Sequence, residues 1–365
     1  MIYLDHAATS FPKPPEVVEA VRRWFLDVGV SAERGDGPTT AVSADAVRRC
    51  REGVARRTGH RAERVAFCSG ATEGLNLALR ALVDDGCRVA TTWFEHSSVV
   101  RPLHALCAER RAEVSRVESV EALCSDLERG CYDLVVMTHA SNVTGEVFDA
   151  AAVAASAQRA GCRLVLDASQ TAGYLPLDVG ADVVVASAHK ALHGPPGLGF
   201  VSVVQDLTLA PQKHGGTGSS AALDRHPTEW PTAFEAGTPN TPALFGLAAA
   251  LEWLDARGEA RLLRRARAPI DTLRERLGAC PRVTTLGAGA ARSVPVLSLQ
   301  HSDYDPLELG GILSGAGFHV RAGHHCAPWI HERLGTEPGG TLRVSTGPET
   351  SDADVIALAD VIEGL

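Results

Sequence analysis

The sequence has no run of about 18 apolar residues, so no helix is expected to cross a membrane. It also has no surplus of positive charge. Its 35 Lys and Arg stand against 44 Asp and Glu, a formal net charge of −9, which argues against nucleic acid or an anionic membrane as partner. The basic stretch "RLLRRARAP" (261–269) reads as the solvated face of a helix. Nine cysteines (50, 68, 87, 107, 124, 131, 162, 280 and 326) form an odd set without CxxC spacing. "MIYLDHAATS" has neither the basic start nor the apolar core of a signal peptide. Reduced thiols and a cytoplasmic location are the expectation. Internal repeats and low-complexity tracts are missing too.

What is present is ordinary globular composition, 45% hydrophobic and 22% charged over 365 residues, enough for two domains. From about residue 64 short apolar runs alternate with helical stretches. The strand candidates are 64–70, 87–93, 133–139, 163–168, 182–187 and 197–203, with helices at 72–83, 97–111 and 148–160. Continuous Val/Leu/Ile runs separated by helices indicate a mainly parallel sheet covered on both faces. Residues 204–242 are irregular, too long for a passive connection. A helix over 243–278 follows, then strands at 294–300, 318–323 and 342–346 with helices near 305–315 and 352–364. That grouping predicts a smaller α+β domain. The expected division is 1–250 and 251–365, with residues 1–20 packing near the smaller unit.

Ligands of parallel sheets bind beyond the carboxyl ends of the strands, and there the apolar runs turn polar. "SGATEGLNLAL" (69–79) joins a strand to a helix through a glycine turn whose free N–H groups, around Ala71 and Thr72, suit an anion. It is neither GxGxxG nor GxxxxGK[ST], so dinucleotide and P-loop readings lose ground. His96 in "EHSSVV" and His139 and Asn142 in "THASNVTG" close two further strands, where local helix capping is the plainer account. "VLDASQ" ends in Asp167, Ser169 and Gln170, and "VVASAHKAL" in Ser187, His189 and Lys190. A carboxylate and a lysine so placed suit pyridoxal phosphate, which takes a lysine on its aldehyde and a carboxylate at its pyridine nitrogen. A buried Asp–Lys salt bridge is the other reading.

"DASQ", "SAHK", "EAGTPNT" (235–241) and "RAGHHCAP" (321–328) together resemble the cysteine desulfurases of the class V aminotransferase fold. The nearest branch is group II, with the selenocysteine-lyase-like enzymes, and the resemblance runs from "YLDHAAT" (3–9) to "LRVSTGP" (342–348). It implies an α/β protein of PLP-dependent fold type I, with a mixed, mostly parallel seven-stranded sheet and a small C-terminal α+β domain. It implies pyridoxal 5'-phosphate attached to Lys190, with Asp167 at the pyridine nitrogen and Gln170 at the phenolic oxygen. His96 stacks on the ring and counts with Lys190 and Cys326 as catalytic. Ala71, Thr72, Ser187 and His189 hold the phosphate, joined by Thr238 from the second subunit of a homodimer. Asn142 and Arg343 take the substrate carboxylate, and Cys326 accepts sulfur from L-cysteine or selenocysteine for delivery to an acceptor protein or small molecule.

Chemistry supports the last two independently. A planar guanidinium matches an α-carboxylate, although a surface salt bridge would equally occupy Arg343. Imidazoles at His324 and His325 and the cation of Arg321 would favour a thiolate at Cys326. The same histidines with His331 could instead hold zinc, although neighbouring His residues seldom reach one metal. The chain begins almost directly at "YLDHAAT", without the N-terminal helix of many relatives, and Glu33 stands where group II relatives often have His. Selenocysteine lysis, C–S lysis or epimerisation without Cys326, and a non-catalytic PLP-binding regulator remain the alternatives to L-cysteine desulfuration.

Overall fold

The computed structural model describes every residue except 33–36, 219–223 and 288–291; Glu33 therefore lies outside the described residues. The chain opens with β1 (Ile2–Tyr3), α1 (Pro15–Arg23) and α2 (Pro38–Thr58). There follow β2 (Val65–Cys68), α3 (Ala71–Leu82), β3 (Arg88–Thr92), α4 (Ser97–Arg110), β4 (Glu113–Val117), α5 (Val120–Glu128), β5 (Leu134–Thr138) and α6 (Ala150–Ala160). Next come β6 (Arg163–Asp167), β7 (Val183–Ser187), β8 (Gly199–Val203), α7 (Thr241–Arg257) and α8 (Glu259–Gly278). The last elements are β9 (Val283–Leu286), β10 (Val296–His301), α9 (Pro306–Gly315), β11 (Phe318–His319), β12 (Arg321–Gly323), α10 (Pro328–Leu334), β13 (Thr341–Ser345) and α11 (Asp352–Glu363).

Among the described residues the main sheet has seven strands in the order β2-β8-β7-β6-β5-β3-β4. β8 runs antiparallel to both neighbours, and the pairs from β7 to β4 are parallel. This is the mixed sheet expected. Its central strands are apolar on both faces: Val135 and Met137 enter one core, Leu134 and Val136 the other. Each such side chain buried contributes about 1.5–3 kcal/mol. β4, "EVSRV", is an edge strand exposed at Glu113, Ser115 and Arg116, and its polar face hid it from the sequence reading.

A second core surrounds the four-stranded antiparallel sheet β12-β13-β10-β9, closed by α8, α9 and α11. Leu4 belongs to that core, and β1 pairs in parallel with β11. The expected run 318–323 is broken, because β11 serves β1 while β12 joins β13. The expected helix 243–278 is broken as well. Gly258, at φ 79°, separates α7 from α8, a left-handed turn that favours glycine. Position 250 falls inside α7, whose Leu254 still packs in the large core. We propose the helix break at Gly258 as the division between the two units, with α8 bridging them: its Leu262 and Ala266 pack in the large core and its Ile270, Leu273 and Leu277 in the smaller one.

The turns after β6 and β7 abut so closely that a Cβ on Gly173 would meet the Ala191 carbonyl oxygen at 2.1 Å and Leu192 Cα at 3.2 Å. Neither backbone can yield without moving Lys190. Gly173→Ala should therefore destabilise the protein by about 1–3 kcal/mol, the usual range for overpacking, read as a lower urea midpoint. An unchanged midpoint would mean the two turns are not locked together.

Candidate active site

The strand ends converge on a cleft of about 630 Å³ lined by Thr72, His96, Asp167, Lys190, Arg343 and Cys326, among others. Asp167, 5% exposed, ends β6. Its Oδ1 accepts from Ser169 N at 2.9 Å and Ser169 Oγ at 2.6 Å, the local turn that aspartate makes two residues on. The carboxylate is thus held by Ser169 rather than by Lys190, which disfavours the plain salt-bridge reading. Lys190 lies in the turn after β7, its pKa held below the ordinary lysine value by burial, with Asp167 opposing.

His96 is the N-cap of α4. Its Nδ1 accepts from Ser98 N at 3.1 Å and lies 2.8 Å from Ser98 Oγ. The neutral ring therefore carries its proton on Nε2, and burial lowers its pKa to about 4. Capping and a cleft position coexist in this one residue. Ser98 Oγ lies 2.7 Å from Thr72 Oγ1, and Ser187 Oγ accepts from Ala71 N at 2.9 Å. Ala71, Thr72 and Ser187 therefore gather at the first turn of α3, where an anion is favoured, and His189 lines the same cleft.

Gln170 does not join that lining. Its Nε2 donates to Ala7 O at 3.0 Å, and it faces a smaller adjoining cavity that it shares with Lys190 and His6. Thr238 is elsewhere too, exposed in a separate surface depression with Arg51, Glu73, Lys213 and Glu235.

Arg343 is 1% exposed in β13, so the surface salt-bridge reading fails. Nη2 donates to Asp5 Oδ1 at 2.6 Å and Nη1 to Asn142 O at 3.0 Å, while the buried Nε has no partner. Asp5 was missed from sequence, although a carboxylate inside the apolar "YLDHAAT" was a signal. The Asn142 amide donates to His325 O at 2.7 Å, so part of its donor capacity goes to the cysteine loop.

Cys326 is exposed, with its sulfur 3.8 Å from Arg321 Nη2. The two imidazoles expected to assist it are engaged elsewhere. His324 Nε2 is 2.9 Å from Glu337, and His325 Nε2 is 3.0 Å from Thr341 O. Burial lowers the His325 pKa to about 2, so no imidazolium stands there. His331 bonds Thr336, and among the described residues no group of three His, Cys, Asp or Glu could hold a metal ion. Behind the cleft, fully buried Glu95 accepts from Thr92 Oγ1 at 2.6 Å and Thr138 N at 3.1 Å. Burial raises its pKa to about 8.

These residues fit pyridoxal phosphate: a lysine and a buried carboxylate at adjacent strand ends, a neutral imidazole, and hydroxyls around a helix N-terminus. The aminotransferase class-V family model matches residues 2–358. Among curated proteins the chain is similar to "Probable cysteine desulfurase 1" of Mycobacterium leprae, 32% identical, covering 94% of this chain but 59% of that relative. It is also 32% identical to the cysteine desulfurase of Klebsiella pneumoniae, covering 90% of this chain and 84% of the relative. The solved cysteine desulfurase of Thermococcus onnurineus, in its apo form, superposes with a TM-score of 0.92 at 28% identity, over 100% of this chain and 94% of that one.

Burial lowers the pKa of His6, His96, His139 and His189 to about 4. Between about pH 6.5 and 4 the unfolded chain binds protons that these folded rings refuse, so stability rises with pH across that window. Glu95, raised to about 8, and Glu146, also raised by burial, act in the opposite sense above their unfolded values, but burial lowers the pKa of His60, His193, His325 and His331 as well, which adds to the first four. Urea midpoints of the cofactor-free protein should therefore fall as pH drops through that window. A flat profile would contradict the burial of these rings.

Proposed function

Because the chain belongs to the aminotransferase class-V family, we propose that it is a pyridoxal-phosphate-dependent cysteine desulfurase. It takes sulfur from L-cysteine, leaves L-alanine and carries the sulfur as a persulfide on Cys326. The observation that carries this reading is one cleft that holds Lys190 and Asp167 together with a buried Arg343 and the exposed thiol of Cys326.

Lys190 would attach the cofactor aldehyde, Asp167 would keep the pyridine nitrogen protonated, and His96 would present its neutral face to the ring. Ala71, Thr72, Ser187 and His189 would take the phosphate, and Gln170 would reach the phenolic oxygen by releasing Ala7. When bound, pyridoxal phosphate supplies the sink for the electron pair freed at the substrate Cα. Arg343 keeps donors beyond the two used by Asp5 and Asn142, and these bind the substrate carboxylate. The lowered pKa of Lys190 makes its free amine a base for the Cα proton. The Cys326 thiolate gives its electron pair to a new S–S bond as the substrate Cβ–S bond breaks. That bond's pair passes to Cβ, which then takes a proton, so no outside oxidant or reductant is needed.

Exposure of Cys326 suits transfer of sulfur to an acceptor outside the cleft. Thr238, exposed and away from its own cleft, supports a homodimer in which it reaches the partner's phosphate. Nine free cysteines suit the reducing cytoplasm, and no described helix is long and apolar enough to cross a membrane.

Two measurements test the reading. Borohydride treatment of the holoprotein should fix the cofactor on Lys190, seen as a mass adduct on that peptide; an adduct on another lysine refutes the assignment. Cys326→Ser should still respond spectrally to L-cysteine but release almost no alanine, because a serine hydroxyl stays protonated and cannot replace the thiolate. Alanine release at near wild-type rate would instead favour a lyase or epimerase that works without Cys326.

A further inference from the structure

The carbonyl oxygen of His189, one peptide before Lys190, collects its donors from one short segment near the start of the chain. Ser10 N lies 3.0 Å from it, Lys13 Nζ 2.8 Å, Thr9 Oγ1 3.1 Å and Ser10 Oγ 3.2 Å. A carbonyl oxygen has two lone pairs, so four donors cannot all bond it fully, and the charged one at the shortest distance is the strongest. Lys13 Nζ also donates to Ser10 Oγ at 2.8 Å, which turns that hydroxyl's own proton toward His189 O. Lys13 is half-buried, and burial lowers its pKa to about 8. Among the described residues it has no carboxylate partner, only the hydroxyl and the carbonyl. A desolvated ammonium so placed is costly, and no salt bridge accounts for it. The turn after β7 closes on itself through Gly194 N to Ala188 O at 2.8 Å and His193 N to Lys190 O at 2.9 Å. Neither bond touches the peptide between His189 and Lys190. That peptide is held at its oxygen, by residues 9–13.

We propose that Lys13 is a positioning residue for Lys190: its ammonium holds the His189 carbonyl, and with it the peptide that aims the Lys190 amine into the cleft. This inference rests on the reading of Lys190 as the attachment point of pyridoxal phosphate. Attachment condenses the Lys190 amine with the cofactor aldehyde and releases one water, so the amine must arrive in line. A misplacement of an ångström can cost about a hundredfold in rate. Without Lys13 the 189–190 peptide loses its strongest anchor and rotates, and the Lys190 side chain leaves the backbone in another direction. Ala71 and Thr72, at the first turn of α3, belong to a different element, so binding of the cofactor without attachment is spared.

Two forms of the cofactor separate attachment from binding. Pyridoxal phosphate can attach, whereas pyridoxine phosphate has an alcohol in place of the aldehyde and cannot react with Lys190. Both are titrated into the cofactor-free full chain as wild type, Lys13→Met, Lys13→Arg and Ser10→Ala. In Lys13→Met the rate of attachment, read as growth of visible absorbance that borohydride then fixes on the Lys190 peptide, should fall about 10- to 100-fold. Its affinity for pyridoxine phosphate should stay near wild type. Lys13→Arg keeps a charged donor and should recover most of the rate. Ser10→Ala keeps the charge but removes one donor and the second partner of Lys13, so attachment should slow about 2- to 10-fold. Equal losses for the two cofactor forms would mean that Lys13 acts by its charge on the phosphate, and would overturn the proposal. Attachment at the wild-type rate in Lys13→Met would do the same. Ser10→Ala carries the test if Lys13→Met fails to fold, and a wild-type rate there is equally fatal. Failure of the functional reading looks different, because the wild type would then fix no cofactor on Lys190, and this inference would fall with it.

Discussion

The burial of a single guanidinium, Arg343, organises this molecule. A buried cation without a partner is costly, and breaking such a pair by removing one side costs about 3–5 kcal/mol. Asp5 supplies the countercharge at 2.6 Å and Asn142 a carbonyl at 3.0 Å. Asp5 reaches it because the N-terminal segment crosses to the smaller core, where β1 pairs with β11, Leu4 is buried and Asp5 bridges Ser345. One side chain thus draws the chain's beginning, its last strand and a loop of the main sheet to one place. The unpartnered Nε shows that these neighbours do not exhaust its donors.

Desolvation then sets the protonation of the surroundings. Burial is the leading cause of the lowered pKa at His6, His96, His139, His189 and His325, and of the lowered pKa at Lys190. Neutral imidazoles suit ring contact and hydrogen bonding, leaving charge to Lys190, Arg321, Arg343 and Asp167. Three cations facing two carboxylates, Asp167 and the Asp5 already paired with Arg343, leave a positive excess that favours anionic ligands such as a phosphate and an α-carboxylate. Glu95, pushed the other way by the same desolvation, contributes little negative charge behind them.

Within the site, sequence neighbours serve different masters. His324 turns to Glu337, His325 to Thr341, and Cys326 alone meets Arg321. The left-handed backbone of His325 and Cys326 sends these three adjacent side chains to separate partners. Among the described residues this explains why the loop's side chains form no group that could hold a metal ion and why an arginine, Arg321, is the cation in bonding reach of the thiol.

The central strands and their polar ends were legible in the amino-acid order. A strand buried on both faces must be apolar throughout, so Asp167, Ser187 and Lys190 stand out where the run stops. The identities of the cleft's lysine, carboxylate and thiol came from the same signal together with the resemblance. Tertiary structure alone decided the rest. β4 reads as polar because an edge strand needs only one apolar face, and the break at Gly258 is a backbone angle rather than a change of composition. The partner of Arg343 lies 338 positions away, and Thr238 and Gln170 are separated from the cleft by packing that no local pattern encodes. Local sequence determined which groups cannot be buried without partners; only the folded chain, by bringing distant segments together, decided which partners they received.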